Sequence, residues 1–167
     1  MVNIEELKRF ESLNIFSENE LSLLSSIGQI HIFSEDKKIF EQDTYLKNLY
    51  LMVSGEISLT YEANEKTILI LSSIKPGTFF GISSLCGVKT FHTAYCFKPS
   101  EVVVFPVDKL EEIFLKNLDF GFKFYSEMIK FYHKITQSRT EDVIKNLSNL
   151  KEIKHIDLMS SIVDFSV

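Results

Sequence analysis

The residues best suited to hold a ligand are concentrated between Pro76 and Cys96, in the sequence PGTFFGISSLCGVKTFHTAYC. A Pro-Gly turn opens the stretch, and Gly81 follows at a point where its backbone could come close to a bound group. Ser83 and Ser84 supply hydroxyl groups, and His92 can carry a proton. Binding groups usually lie on loops that rigid strands hold in place, so the stretch predicts a ligand cradle in a β-rich protein.

The sequence contains no recognisable catalytic or metal-binding motif. There is no G-x-S-x-G, no P-loop and no H-E-x-x-H, and the carboxylate pairs fall on predicted turns and solvated helix faces. Cys86 and Cys96 form neither a disulfide framework nor a CxxC pair, and we expect two reduced thiols. We therefore predict a protein that is not an enzyme, with no catalytic residues, no metal ligands and no certain cofactor.

The charge balance argues against nucleic acid and membrane partners. The net charge is −5, the sequence pI is about 5.4, and no Lys/Arg cluster is longer than Lys37-Lys38. The N-terminus is acidic and amphipathic, and no apolar stretch approaches the roughly 18 residues of a membrane span. We expect a cytoplasmic protein without direct contact to nucleic acid or membrane.

The elements that would position the cradle follow from hydrophobic periodicity. Residues Ile4–Phe16 and Ser17–Gly28 have helical spacing, and the second segment starts with a Ser-x-x-Glu capping box. From Gln29 the period changes to two, and turns at Ser54-Gly55 and Lys98-Pro99-Ser100 bring the total to about eight short strands. The pattern predicts a mainly β fold with flanking helices, as a sandwich, jelly roll or barrel.

The period changes back to helical at Pro106. A first helix starts at Pro106–Asp108, and a longer one runs over about Phe120–Leu150. Nine residues of the longer helix follow alternating spacings of three and four, as in a coiled-coil seam: Phe122, Tyr125, Ile129, Tyr132, Thr136, Arg139, Val143, Asn146 and Leu150. Arg139 and Asn146 are polar and weaken the case for a dimer seam toward its C-terminal end. This seam could pack on the chain's own β-roll or join two copies into a homodimer.

Four segments occur in order along the chain: IFEQDT at 39–44, LYLMVSGEI at 49–57, PGTFFG at 76–81 and EVVVFP at 101–106. Taken together, they resemble the cyclic nucleotide-binding domain. The chain is most similar to the sensor half of the catabolite activator and fumarate–nitrate regulator family, over about Leu13–Leu150. The resemblance implies a double-stranded β-helix (jelly-roll) closed by a long C-terminal helix. We expect a roll with N-terminal helices at 1–118, a dimerisation helix at 119–150 and a short tail at 151–167 without a helix-turn-helix.

The resemblance also identifies the cradle as a phosphate-binding cassette with altered contacts. In the family, a Glu after the Gly binds the ribose 2′-hydroxyl and an Arg near the cassette's end pairs with the phosphate; here these positions are Ile82 and His92. Losing two hydrogen bonds to charged groups would weaken nucleotide binding by about 10²- to 10⁴-fold. The family's Gly-Asp turn is replaced by Asp43-Thr44, which predicts a positive φ at Asp43. The expected ligand-binding residues are Phe80, Gly81, Ile82, Ser83, Ser84, Leu85, His92, Thr93, Ala94 and Tyr132.

Four functions remain open on these grounds. The main hypothesis is a small-molecule-sensing regulatory module whose effector is a cyclic nucleotide or another small organic anion. Its pocket would be more apolar than the family's and would be formed by Phe80, Ile82, Leu85, Phe91 and Tyr132. The alternatives are a ligand-free dimerisation or protein-interaction domain, and a cAMP- or cGMP-responsive sensor of a transcription regulator without its DNA-binding part. Because some members of the family ligate haem near this cassette, a haem sensor using Cys86 and His92 is the fourth.

Overall fold

The structure is a computed structural model, and it describes residues 1–64 and 67–148. The N-terminal helices come before the sheet in the chain. Helix α1 covers Ile4–Leu7, a 3₁₀ turn covers Glu11–Leu13, and α2 covers Glu18–Ile27. The prediction of one helix over Ile4–Phe16 is wrong, because Phe10 is extended (φ −94°, ψ 119°) and divides the segment. The capping box before α2 is confirmed: the Ser17 hydroxyl accepts from the Glu20 amide, and the Glu20 carboxylate accepts from the Ser17 amide.

Six strands form one antiparallel system. They are β1 (Gln29–Phe33), β2 (Lys38–Phe40), β3 (Asn48–Asn64), β4 (Thr67–Ile74), β5 (Phe79–Phe80) and β6 (Thr93–Pro106). The order along the sheet is β1-β6-β3-β4, while β2 also pairs with β6 and β5 with β3. The mainly β fold with flanking helices is confirmed, and the arrangement agrees with the predicted jelly roll.

The described strands number six rather than about eight because two predicted turns lie inside continuous strands. Ser54-Gly55 falls within β3 and Lys98-Pro99-Ser100 within β6. Register shifts occur there between the two paired strands, with Gly55 at φ +101° and the Glu56 amide donating to Ser100 Oγ at 3.0 Å. β3 and β6 therefore bend together through bulges, and each continues without a hairpin turn.

The helical end of the roll is defined by five phenyl rings, a consequence of a composition with 15 Phe and no Trp. Successive ring centroids lie 5.1–6.2 Å apart, in edge-to-face, tilted and stacked arrangements typical of aromatic cores. The five residues are Phe16, Phe79, Phe114, Phe120 and Phe124, all buried.

Two C-terminal helices follow β6. Helix α3 (Ser83–Cys86) lies between β5 and β6, and after β6 helix α4 covers Val107–Lys116 and α5 covers Leu118–Ser148. Asn117, at φ −139°, separates α4 from α5. Of the predicted seam and tail, the Asn146 side chain, Leu150 and residues 151–167 lie outside the described residues. The chain divides into two compact units, Met1–Met128 and a second that begins at Ile129. No helix in the described ranges is long and apolar enough to cross a membrane.

Candidate ligand-binding cassette

The cassette, which we define as Gly81–Ala94, is entered through the predicted Pro-Gly turn. Gly77 has φ +78°, its amide donates to the Met52 carbonyl at 2.8 Å, and the Ser12 hydroxyl donates to the Gly77 carbonyl at 2.7 Å. Two-residue β5 then pairs with β3, Tyr50 lying opposite Phe80. The chain is therefore fixed on both sides before it reaches Gly81.

Gly81 is required by its backbone and by its neighbour. Its φ is +75°, a conformation that residues with a Cβ rarely adopt. A Cβ atom at this position would lie 2.9 Å from Cδ2 of Tyr50. The close approach inferred from the sequence is thus an approach to the Tyr50 ring, whether or not a ligand is bound.

Helix α3 (Ser83–Cys86) is a single turn that follows Gly81. Ser84 directs both its hydroxyl (2.7 Å) and its amide (3.0 Å) at the Gly81 carbonyl, and the turn ends at Gly87 with φ +63°. Ser84 is therefore committed to the fold of the cassette. Ser83 Oγ is buried and has no hydrogen-bond partner within the described part of the chain, so its hydrogen-bonding capacity is not used by the fold as that of Ser84 is.

The far end of the cassette is tied to the turn that contains Asp43 and Thr44. The Thr90 amide donates to the Thr44 carbonyl at 2.8 Å, and the Asp43 amide donates to the Thr90 carbonyl at 2.7 Å. Asp43 has φ +61°, which confirms the positive φ predicted from the missing glycine. Asp at this position preserves the turn.

His92, Thr93 and Ala94 lie in sequence at the cassette's end but in different surroundings. His92 is half-buried, and its amide donates to Thr90 Oγ1 at 3.4 Å. Thr93 is buried, and its hydroxyl oxygen accepts from the Gln42 amide at 3.1 Å. Ala94 is buried in register with Phe40 of β2. The hydroxyl proton of Thr93 can still be donated, whereas Ala94 offers only packing.

Phe80 belongs to the interior of the roll. Its ring stacks on Tyr50 at 5.1 Å and lies 6.1 Å from Phe40, in the same buried cluster as Ala94. The structure thus brings Phe80 and Ala94 together as core residues beneath the cassette. Burial also raises the pKa of the Tyr50 hydroxyl, against the lowering effect of a hydrogen bond with Asn48.

The remaining predicted residues are more dispersed. Ile82 precedes α3 at its N-cap position without a side-chain capping bond, and Leu85 is half-buried within the turn. Phe91 is 60% exposed and stacks on Tyr61 with 4.6 Å between centroids. Tyr132 is exposed on the second compact unit, in α5.

The charges and thiols around the cassette do not form a metal site in the described residues. No group of three or more His, Cys, Asp and Glu residues there could hold a metal ion. Cys86 is exposed, whereas Cys96 is buried and burial raises the pKa of its thiol, partly offset by a hydrogen bond with Ser100. The ammonium group of Lys89 lies over the Tyr45 ring at 5.8 Å, where it makes a cation–π contact.

Sequence reasoning missed one polar contact of the site. The Gln42 side chain pairs with the backbone of Glu62 in both directions: its Oε1 accepts from the Glu62 amide at 2.8 Å, and its Nε2 donates to the Glu62 carbonyl at 3.3 Å. Gln42 therefore connects Thr93 to β3. Only the position of Gln42 inside the family-like segment IFEQDT could have drawn attention to it.

The chain is similar in sequence to one family model and in fold to solved structures. Residues 30–117 match the model of the cyclic nucleotide-binding domain. The crystal structure of a cyclic nucleotide-binding domain from Methylobacillus flagellatus has a TM-score of 0.77 at 18% identity, covering 86% of this chain and 83% of that one. A putative cyclic nucleotide-binding protein from Geobacter metallireducens has a TM-score of 0.69 at 23% identity, covering 84% and 99%.

A third neighbour comes from a transcriptional regulator. The sensor domain of the regulator DNR from Pseudomonas aeruginosa has a TM-score of 0.63 at 15% identity, covering 92% of this chain and 95% of that one. At these identities the neighbours establish the fold and nothing finer. No curated protein sequence matches the chain.

Proposed function

The chain belongs to the cyclic nucleotide-binding domain family, and from that premise we propose that it is a small-molecule-sensing regulatory domain whose cassette binds a small organic anion other than cAMP or cGMP. The role is one of binding, with no catalytic step. The observation that carries the proposal is a cassette with its backbone geometry retained and both charged nucleotide-binding positions replaced.

The retained geometry supports ligand binding. Gly81 keeps a positive φ, α3 follows it directly, and hydrogen bonds to Thr44 and Asp43 hold the far end in place. The buried Ser83 Oγ adds support, because an unpartnered buried hydroxyl costs about 1–3 kcal/mol that a ligand acceptor would recover. An anion is the ligand class that backbone amides and a hydroxyl of this kind would favour.

The replaced positions argue against cyclic nucleotides. Ile82 has no group that can bond a ribose hydroxyl, and a neutral His92 offers one donor where an Arg offers five. Without these two charge-assisted bonds we expect affinity for cAMP and cGMP to be about 10²- to 10⁴-fold below that of a cassette with both. Phe80 and Ala94 fill the space beneath with apolar groups, which favours a smaller ligand than a nucleotide.

Calorimetric titration with cAMP and cGMP tests the proposal. The wild-type chain should show no binding at low micromolar concentration. The double variant Ile82→Glu/His92→Arg should gain cAMP affinity by about 10²-fold or more, because it restores both charged contacts.

A matched control places the same new groups elsewhere in the cassette. Val88 and Lys89 are exposed, so Val88→Glu/Lys89→Arg adds the same side chains away from the two positions and should leave cAMP binding absent. Low-micromolar binding of either nucleotide by the wild type would contradict the proposal. Thermal shift with inorganic phosphate and small carboxylates then searches for the effector.

We also propose that the chain is a homodimer through α5, with 1–118 as the sensing roll and 119–150 as the dimerisation helix. In support, four seam residues are at least 50% exposed in the single chain: Phe122, Ile129, Tyr132 and Val143. Solvent-exposed apolar residues at coiled-coil spacing favour a second helix. Ile129→Glu should abolish the dimer in sedimentation analysis, whereas Ser138→Glu at an exposed position off the seam should not.

A further inference from the structure

Strand β4 has one unpaired edge. It pairs with β3 on one side, and within the described ranges no strand pairs with its other side. From Ile68 to Ile70 the pairing with β3 is regular, before a register shift leaves Leu71 as an extra residue. The outer edge of β4 therefore presents backbone donors and acceptors in a geometry that another strand can satisfy.

This edge lacks the features by which proteins usually prevent strand addition. Residues 67–71 read TILIL, with no charge and no Pro. Ile68 and Ile70 are 64% and 63% exposed. Unprotected apolar edges pair with further strands, since charged side chains, Pro and short length are what normally block them.

Two acidic side chains of β3 form ion pairs with lysines of the same chain. Glu62, opposite Ile68 in the register, pairs with Lys38 at 3.0 Å, and Glu56 pairs with Lys98 at 2.6 Å. The whole chain carries a net charge of −5, so two copies repel each other on average. The edge of β4 is a surface on which two copies can meet with little like-charge repulsion.

The apolar surface extends beyond the strand itself. Leu69 lies opposite Tyr61 on one face of the β3–β4 pair, and Tyr61 stacks on the exposed Phe91 of the cassette. A strand added to β4 would therefore contact Leu69, which is 45% exposed on the face that these rings extend. Leu69 adds apolar contact to the few hydrogen bonds that a five-residue edge provides.

We propose that the edge of β4 pairs antiparallel with β4 of a second copy, forming a continuous sheet across two chains. A twofold axis perpendicular to the sheet, placed at Leu69, sets Ile68 of each copy against Ile70 of the other. The uncharged sequence suits this isologous contact because each copy offers the other the same apolar residues. The contact is separate from the helix seam and from the cassette's ligand.

Charge substitutions test both the contact and its register in sedimentation analysis over a range of protein concentrations. Ile68→Lys and Ile70→Glu should each weaken association by about tenfold or more, since each places a charge in an apolar strand pair. A mixture of the two variants should associate more tightly than either alone, because the ammonium group of one variant would face the carboxylate of the other across the contact. Ile32→Lys provides the control: it is 76% exposed, on β1 at the opposite end of the sheet order, and should change nothing.

A second set of variants, made in a chain that carries Ile129→Glu, distinguishes the β4 contact from the helix seam. In an Ile129→Glu chain, which lacks the proposed seam, association through β4 should persist and remain sensitive to Ile68→Lys. Strict monomers in that background at the highest concentration would overturn β4 pairing and leave the seam proposal standing. Equal association of wild type, Ile68→Lys and Ile70→Glu, or no recovery in the mixture, would also overturn it.

Discussion

The helical end of the roll is packed with phenyl rings, whereas the cassette end is tied by hydrogen bonds among backbone and hydroxyl groups. At the helical end, Phe124 contacts the rings of Phe16, Phe79, Phe114 and Phe120. At the cassette end, Thr90 and Thr93 bond backbone groups of the segment that contains Gln42 and Thr44, and Ser84 bonds the Gly81 carbonyl within the cassette. Burial of apolar rings stabilises the helical end. The hydrogen bonds at the cassette end fix the shape of the backbone, and each of them contributes less to the free energy of unfolding than a buried ring does.

The largest effect should come from the helical end. Phe124→Ala removes a fully buried ring and should lower the free energy of unfolding by about 3–5 kcal/mol, as large-to-small core changes do. Phe122→Ala on the same helix is the matched control: its ring is 78% exposed, and its removal should change stability by less than about 0.5 kcal/mol. Urea unfolding at low protein concentration measures both, and equal losses would contradict the comparison.

An intermediate effect is expected at the entrance of the cassette. Gly81→Ala combines a left-handed backbone with a Cβ 2.9 Å from the Tyr50 ring, and should cost roughly 2–4 kcal/mol. Gly87→Ala has a similar φ of +63° but nothing within 4 Å of the new Cβ, so it should cost only about 1–2 kcal/mol. Identical unfolding midpoints for the two variants would show that the contact with the Tyr50 ring does not contribute to the loss of stability in Gly81→Ala.

The smallest effect should come from a single hydroxyl. Thr93→Val keeps the shape of the side chain but leaves the Gln42 amide without its acceptor, which should cost about 1–2 kcal/mol. Thr78→Val is the comparison, because Thr78 is half-buried and its hydroxyl makes no hydrogen bond in the described part of the chain. If both changes are neutral in thermal unfolding, hydrogen bonding is not what holds the cassette's end.

The sequence predicts a structural feature at either end of the roll when that feature depends on residues a few positions apart in the chain. Ser17 and Glu20 predict their capping box because that conformation follows from residues close in the chain. The positive φ of Asp43 is predicted by the resemblance, through the glycine that the family has at that position. The turn signals at Ser54-Gly55 and Lys98–Ser100 are equally local, but they mark bulges, since only the pairing of β3 with β6 distinguishes a bend from a reversal.

The candidate site shows the same limit. Gly81 stands out in the sequence as a glycine beside an apolar strand, and the resemblance to the family identifies Ile82 and His92 as the two replaced charged positions. Ser84 bonds back to Gly81, whereas Ser83 Oγ has no hydrogen-bond partner among the described residues. This difference depends on the rotation of one helical turn, and the sequence does not distinguish two adjacent serines. The stacking of Phe91 on Tyr61 depends on packing between residues distant in sequence.

The paired hydrogen bonds between Gln42 and Glu62 affect amide hydrogen exchange at the edge of the roll. A side-chain amide takes the part that a neighbouring strand would play, accepting the Glu62 amide proton and donating to its carbonyl. The Gln42 side chain, whose backbone amide is bonded to Thr93, thus protects the Glu62 amide proton on β3 from solvent. The rate at which the Glu62 amide proton exchanges with deuterium therefore reports how often the hydrogen bonds of Gln42, next to the Asp43-Thr44 turn, are broken.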